Sequence, residues 1–249
     1  MQLPSQMLNM SMKNKKVLIV GGSRGIGEGV VNKFASFGAN VYYFSRQKKK
    51  KVDGENNRNI NHIKVDLHSE QSIQKGFQSY DTKENSLDIL VNVAGINYTK
   101  RIEEIDMDEW DEVLDTNLRS FFYIIKKVLE IMPDGGKIVN VSSIAGRNRS
   151  VVSGVHYTAS KAGIIGLTKQ IAHEVGKRNI NVNAVCPSQT RTDMLEESMT
   201  EKELKELGKL IPLGRIATRQ EVVNGILFLC SEESSYITGT TLDINGGQL

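Results

Sequence analysis

Residues 17–27 read Val17-Leu18-Ile19-Val20 and pass directly into Gly21-Gly22-Ser23-Arg24-Gly25-Ile26-Gly27. Four consecutive apolar residues bounded by glycine predict a short strand buried on both faces. Ile26, Val30, Val31, Phe34 and Phe37 then recur near one helical face, which predicts a helix over 26–37 with Gly38 as its stop. A buried strand followed by a helix is the opening of a parallel crossover. The glycine turn between them lets backbone approach a phosphate, with the unpaired N–H groups of the helix N-terminus behind it. The spacing is not G-x-G-x-x-G, and a glycine turn also serves structure alone.

The alternation continues to the C-terminus. Further strands are predicted over 39–44, 62–65, 87–91, 137–141, 180–185 and 240–244. Helices are predicted over 71–80, 107–131, 157–175, 201–207 (with Gly208 as stop) and 221–230. This is the pattern of an α/β fold, a parallel sheet covered by helices on both faces. A length of 249 residues suits one domain, and no repeat or low-complexity linker divides it. Residues 1–14 read as a flexible N-terminal extension and 15–249 as the folded domain. The stretch 191–213 carries charge and few anchors, so it reads as a mobile lid.

Composition excludes several classes. Hydrophobic residues make up 39% and charged residues 24%, which is ordinary for a globular chain. The formal net charge of +3 suits an anionic ligand without implying nucleic acid. The basic run Lys48-Lys49-Lys50-Lys51 has no aromatic interleaving and reads as a solvated loop. Cys186 and Cys230 have no metal spacing, nor do His62, His68, His156 and His173. No metal is expected. The N-terminus has no basic segment leading into a long apolar run, so no membrane span is expected and the cytoplasm is the default.

Val20-Gly21-Gly22-Ser23-Arg24-Gly25-Ile26-Gly27 resembles the T-G-x-x-x-G-I-G motif of the short-chain dehydrogenase/reductase family, with Val20 in place of threonine. The resemblance extends from Lys15 to the end of the chain. It implies a Rossmann-type, doubly wound parallel sheet in one three-layer α/β/α domain. It also implies a cofactor site at Gly21, Ser23, Arg24, Gly25, Ile26 and Gly27. Asp66, followed by Leu67, resembles the residue that contacts adenine. Asn92-Val93-Ala94-Gly95 resembles the N-N-A-G segment, with Val93 replacing its second asparagine. On the residues alone, Asp66 reads equally as a cap for the next helix and Gly95 as a chain turn. After the sixth strand, Cys186-Pro187-Ser188-Gln189-Thr190-Arg191-Thr192 resembles P-G-x-x-x-T, with Ser188 in place of glycine. Pro187, Thr190 and Thr192 are implied to line the nicotinamide side.

The end of the second strand discriminates between cofactors. An NAD site presents a carboxylate there to the ribose hydroxyls. This chain has Tyr42-Tyr43-Phe44-Ser45-Arg46 and no carboxylate. Ser45 and Arg46 can bond and neutralise a 2′-phosphate, and Arg24 matches the family's second basic position. The expected cofactor is NADP(H).

Tyr157 and Lys161 are four apart on a predicted helix, so they share a face. An ammonium beside a phenol eases its ionisation, letting the pair exchange a proton with a substrate oxygen. Tyr157-Thr158-Ala159-Ser160-Lys161-Ala162-Gly163 resembles the family's catalytic segment. The resemblance implies that Ser143 bonds the substrate oxygen, leaving Ser142 to the backbone. It implies that Asn117 holds a water linked to Lys161. The implied cycle is hydride transfer from NADPH to a carbonyl carbon, with Tyr157 supplying the proton, or the reverse. A non-catalytic NADPH sensor would be marked by an altered tyrosine or lysine, and neither is altered.

The tail, from Gly214-Arg215 to Asp243-Ile244-Asn245-Gly246-Gly247, resembles the 3-oxoacyl-carrier-protein reductases and their relatives. That implies a small carbonyl or alcohol substrate, an acyl-carrier-protein thioester among the candidates, and a homotetramer or homodimer. Two features restrain the thioester reading. The approach to the fifth strand, Met132-Pro133-Asp134-Gly135-Gly136, lacks a basic docking residue. The loop 147–153 is polar and basic, meeting an anionic substrate or only solvent. A specialised ketone or alcohol of secondary, sugar or steroid metabolism is the alternative, because this fold supports many substrates.

Overall fold

The computed structural model describes residues 12–48, 59–150, 152–192, 195–196 and 199–249. Seven strands form one parallel sheet in the order β3-β2-β1-β4-β5-β6-β7. They are β1 Lys16–Val20, β2 Asn40–Ser45, β3 Ile60–Lys64, β4 Ile89–Asn92, β5 Lys137–Val141, β6 Asn181–Pro187 and β7 Thr241–Ile244. The helices are α1 Gly25–Ser36, α2 Glu70–Asp81, α3 Met107–Leu114, α4 Ser120–Ile131, α5 Ile144–Arg147, α6 Val155–Val175, α7 Glu201–Lys209 and α8 Arg219–Leu229. The fold is a doubly wound α/β/α sandwich of the Rossmann type. The strand order reverses at β1, between β2 and β4, which opens a crevice at the carboxyl ends of the strands.

The continuous apolar runs are explained by two cores. Leu18, Val20, Tyr42, Phe44, Leu90 and Ile138 point to one side, against Ile73 and Phe77 of α2, Ile124 and Val128 of α4, and Ile171 of α6. Val17, Ile19, Val41, Tyr43, Val91 and Val139 point to the other, against Val30 and Phe34 of α1 and Val223 and Ile226 of α8. Successive strand residues face opposite ways, so a strand covered on both sides is apolar at every position. Each fully buried side chain of this size contributes roughly 1.5–3 kcal/mol.

Four expectations need correction. The predicted helix over 107–131 is interrupted by a π-turn at Asp115–Arg119, which adds one residue to the turn and brings Asn117 inside. Residues 12–14 belong to the fold: Met12 is buried in the core that α1 and α8 cover, and the Asn14 N–H donates to the Gly38 carbonyl at 3.1 Å. Residues 1–11 of the expected extension lie outside the described residues. Gly208 does not stop α7, which runs one residue further with Gly208 buried against the backbone of Arg215. The charged stretch 191–213 also has more anchors than its composition suggests, since Leu204, Leu207 and Ile211 are buried.

Close packing at the first turn explains its glycines. Gly21 has φ +90°, and a Cβ there would lie 2.7 Å from the Ala94 Cα. A Cβ on Gly27 would lie 2.1 Å from the Gly21 carbonyl oxygen, a backbone atom that no rotamer change can move. Gly27→Ala should therefore destabilise the protein by about 3 kcal/mol or more, read as a lower urea midpoint. An unchanged midpoint would show that the turn can relax.

Candidate active site

The sheet delivers the sequence-predicted residues to one crevice. The Gly21 N–H donates to the Phe44 carbonyl (2.8 Å), setting the glycine turn beside Ser45 and Arg46 at the end of β2. The N–H groups of Val93 and Ala94 both donate to the Val20 carbonyl at 2.9 Å, which ties the segment after β4 to the same turn. A Cβ on Gly25, at φ +58°, would lie 3.8 Å from Thr192, so the segment after β6 faces the turn from the far side.

Helix α1 begins at this turn with Arg24 as its N-cap, whose side chain makes no capping hydrogen bond. Its first-turn N–H groups and dipole thus suit an anionic group. Ser23 is half-buried, while Arg24 and Arg46 are exposed at the crevice edge. Ile26 packs into the α1-side core. These residues fit a dinucleotide: a glycine cradle, a helix start whose N-cap side chain makes no capping bond, and two exposed arginines.

The other predicted cofactor residues divide by environment. Asp66 is exposed, and its Oδ1 accepts from the His68 N–H at 3.2 Å. It does not cap α2, because Ser69 does, accepting from the Ser72 N–H. Leu67 packs against the core. The buried Asn92 donates to Asn140 Oδ1 at 2.9 Å, while its own Oδ1 is buried with no partner among the described residues. Ser45 is engaged locally: its hydroxyl donates to the Gln47 carbonyl at 2.6 Å, and the His62 ring lies 3.1 Å away. Pro187 is buried at the end of β6, and Thr190 donates to the Ser188 carbonyl at 3.0 Å. Of the basic run, Lys48 is exposed and Lys49 to Lys51 lie outside the described residues.

The family departures have physical accounts. Val20 is fully buried in the apolar core. Val93 packs into the core on the α1 side. Ser188 needs no glycine, since the positive-φ non-glycine residues among those described are Asn14 and Asn179.

Tyr157, Lys161, Ser143 and Asn117 converge. Ser143 caps the short helix α5, its hydroxyl accepting from the Ala145 N–H at 3.1 Å, and it lies close enough to the Tyr157 phenol to ease its ionisation. Helix α5 was not anticipated. It packs so tightly on α6 that a Cβ on Gly146 would lie 2.5 Å from the Lys161 carbonyl carbon. Ser142 is buried and donates to the Lys161 carbonyl at 2.7 Å, so Ser143 is the serine left facing the crevice. Asn117 is fully buried. Its amide donates to the Ile96 carbonyl (2.9 Å) and Ser160 Oγ (3.1 Å), and its oxygen accepts from the Ile96 N–H (2.8 Å). Its side chain thus cross-links the loop after Gly95 to α6.

Lys161 is 3% exposed. Its ammonium donates to the Val141 carbonyl at 2.9 Å and lies 5.5 Å from the Tyr157 ring centroid and 5.9 Å from that of Phe121. Burial pushes its pKa down to about 8, with the nearby Cys186 opposing. Burial also pushes the Tyr157 phenol above its ordinary value, while the Ser143 hydrogen bond opposes that shift. His156, Glu109, Gly146 and Phe121 surround this group and were not singled out from the sequence. His156 borders Tyr157, but nothing in the spacing connects Glu109 or Phe121 to it.

A family model described as enoyl-(acyl carrier protein) reductase matches residues 20–248. The 3-oxoacyl-[acyl-carrier-protein] reductase of Aquifex aeolicus is 39% identical over 249 residues, spanning 96% of this chain and 99% of the relative. The ligand-free aldohexose dehydrogenase of Thermoplasma acidophilum superposes with a TM-score of 0.87 at 31% identity, over 96% of this chain and 95% of that one. A blue fluorescent protein from a metagenomic library, in complex with NADPH, superposes at 0.88 with 26% identity, over 96% and 99%. The chain belongs to the classical short-chain dehydrogenase/reductase family. It is an NAD(P)H-dependent oxidoreductase acting on carbonyl and alcohol groups.

Burying the protonated Lys161 costs the folded state stability. The folded state binds fewer protons than the unfolded state between pH 8 and 10.5, so stability rises with pH there, and the burden is full below about pH 8. Lys161→Met should therefore raise the apo melting midpoint at pH 7, by on the order of 1–3 kcal/mol of stability, with the gain shrinking toward pH 10. A lower midpoint at pH 7 would show that the ammonium is well compensated.

Proposed function

We propose that this chain reduces the ketone of a 3-oxoacyl thioester to a secondary alcohol with NADPH, using Tyr157 as proton donor. The observation that carries the reading is the convergence of Tyr157, Ser143 and Lys161 at the mouth of an uncapped glycine turn. When bound, the nicotinamide supplies the hydride. Ser143 and the Tyr157 phenol donate hydrogen bonds to the carbonyl oxygen and stabilise the charge that develops there. Tyr157 passes its proton to that oxygen. Lys161 favours the tyrosinate left behind and would hold the nicotinamide ribose. Asn117, fixed to Ile96 and Ser160, holds the floor of the site in register.

The 2′-phosphate is assigned to Arg46 and Arg24. The end of β2 offers no carboxylate, and both guanidiniums stand exposed beside the glycine turn. Ser45 contributes less than the sequence suggests, because its hydroxyl proton is directed to Gln47. The thioester reading rests on the Aquifex relative and on the matched tail. A free polar ketone or alcohol is the second reading, favoured by Asp134. It stands at the approach to β5 and pairs with Arg178 at 3.1 Å, while the Arg178 guanidinium also caps the end of α4 through the Leu129 carbonyl. The basic group nearest Asp134 at that corner is thus engaged within the fold. Arg147 of the basic loop is likewise engaged, with Asp243 at 3.2 Å. We assign a homotetramer or homodimer, in which the exposed Phe122 and Tyr236 become covered.

Tyr157→Phe should lower kcat by about 10³-fold or more while leaving the NADPH Kd nearly unchanged. Turnover at the wild-type rate would remove Tyr157 as the acid. Arg46→Ala should weaken NADPH by roughly tenfold or more and NADH little, in paired fluorescence titrations. Equal losses would sink the phosphate assignment. An NADPH-oxidation screen over acyl thioesters, cyclic ketones, sugars and steroids decides between the two substrate readings.

A further inference from the structure

His156 is a fully buried titratable side chain that the chemistry above does not use. It occupies the second position of α6, and Tyr157 the third. The first-turn N–H groups of a helix need acceptors from outside the helix, commonly the side chain of the N-cap. The N-cap here is Gly154, which has none. A Cβ at Gly154 would lie 2.4 Å from His156 Cε1 and 2.8 Å from Nδ1, so the ring occupies the space a capping side chain would use.

The ring also takes over the capping bond. The Tyr157 N–H donates to His156 Nδ1 at 2.9 Å. A nitrogen that accepts carries no proton, so the neutral ring bears its hydrogen on Nε2. Nε2 lies 3.1 Å from Glu109 Oε1 on α3 and donates to it. The other Glu109 oxygen is held by Lys100, in the loop after β4. The Tyr98 ring lies 6.2 Å from the imidazole and directs its hydroxyl to Glu112 at 3.0 Å. The charged groups around the imidazole are thus Lys100, Glu109 and Glu112, with Lys161 one turn along α6.

The carbonyl side of the same residue is held independently. Ser160 Oγ donates to the Tyr157 carbonyl at 2.7 Å, and Ser160 in turn accepts from Asn117. Lys161 has its own anchor at Val141. Fraying of the first turn of α6 therefore displaces Tyr157 while leaving Lys161 in place.

We infer that His156 is a positioning residue. Its Nε2–H tautomer, selected by Glu109, replaces the missing N-cap side chain of α6 and holds Tyr157 in register with Lys161. The inference rests on Tyr157 being the proton donor. The test uses the purified full-length protein with NADPH and the carbonyl compound it turns over fastest in the screen. His156→Leu fills the space without an acceptor, and His156→Asn restores an acceptor oxygen at the Nδ1 position. His156→Leu should lower kcat about fivefold to tenfold, with KM and NADPH Kd within about twofold of wild type. Its alkaline limb, where Tyr157 loses its proton, should move to higher pH as the displaced phenol loses the Ser143 interaction that favours its ionised form. His156→Asn should restore kcat and the limb.

Glu109→Ala, outside α6, covers the case in which His156→Leu fails to fold. It should shift the limb in the same direction, with a smaller loss of kcat. An unmoved limb in both His156→Leu and Glu109→Ala overturns the inference, as does His156→Asn matching His156→Leu. Turnover by Tyr157→Phe would instead remove the acid assignment itself, whatever the His156 series shows.

Discussion

A parallel strand covered on both faces has no side chain free for chemistry along its length. Every position of β1 beyond its first residue is buried in one of two apolar cores. Function is therefore confined to where strands end and the chain turns. All seven strands run in one direction, so those ends lie along one edge. The glycine turn, Ser45-Arg46, the segment after Asn92, Ser143 and the segment after Pro187 share a crevice for that reason.

At that edge the site works against the stability of the fold. Lys161 enters an environment lined by Tyr157 and Phe121, and the loss of water lowers its pKa to about 8. The same burial keeps the Tyr157 phenol protonated and able to donate. The surroundings are correspondingly well bonded. Asn117 bridges Ile96 and Ser160, Ser142 closes on the Lys161 carbonyl, and His156 and Ser160 hold the two sides of Tyr157.

In the proposed reading, specificity falls to less constrained parts: the cofactor choice to the exposed Arg24 and Arg46, and the substrate choice to the loop 147–153 and the stretch that carries α7. Arg191 bonds Glu196 at 2.7 Å and pairs with Glu201, while Leu204 and Leu207 seat α7 on the domain. Among the described residues these anchors are few against the two large cores, so this stretch can change at less cost to the fold than the strand ends can.

The alternation of apolar runs and helical periods determined the sheet, its parallel sense and each principal helix, because burial on two faces leaves a local pattern in the chain. The glycine turn and Tyr157-x-x-x-Lys161 were legible for the same reason: both are local geometries. What joins distant segments was not. The π-turn that brings Asn117 inside leaves no period to read. Helix α5 is too short to show one, and it is placed by Gly146 meeting the Lys161 backbone. Ser69 rather than Asp66 caps α2, a choice made by side-chain reach. Glu109 and His156 are 47 residues apart and meet only because α3 packs against the start of α6. The sequence by itself determined which chemistry the edge can hold. The tertiary structure decided how Tyr157 is held there, because hydrogen bonds between distant elements exist only once the two cores have brought those elements together.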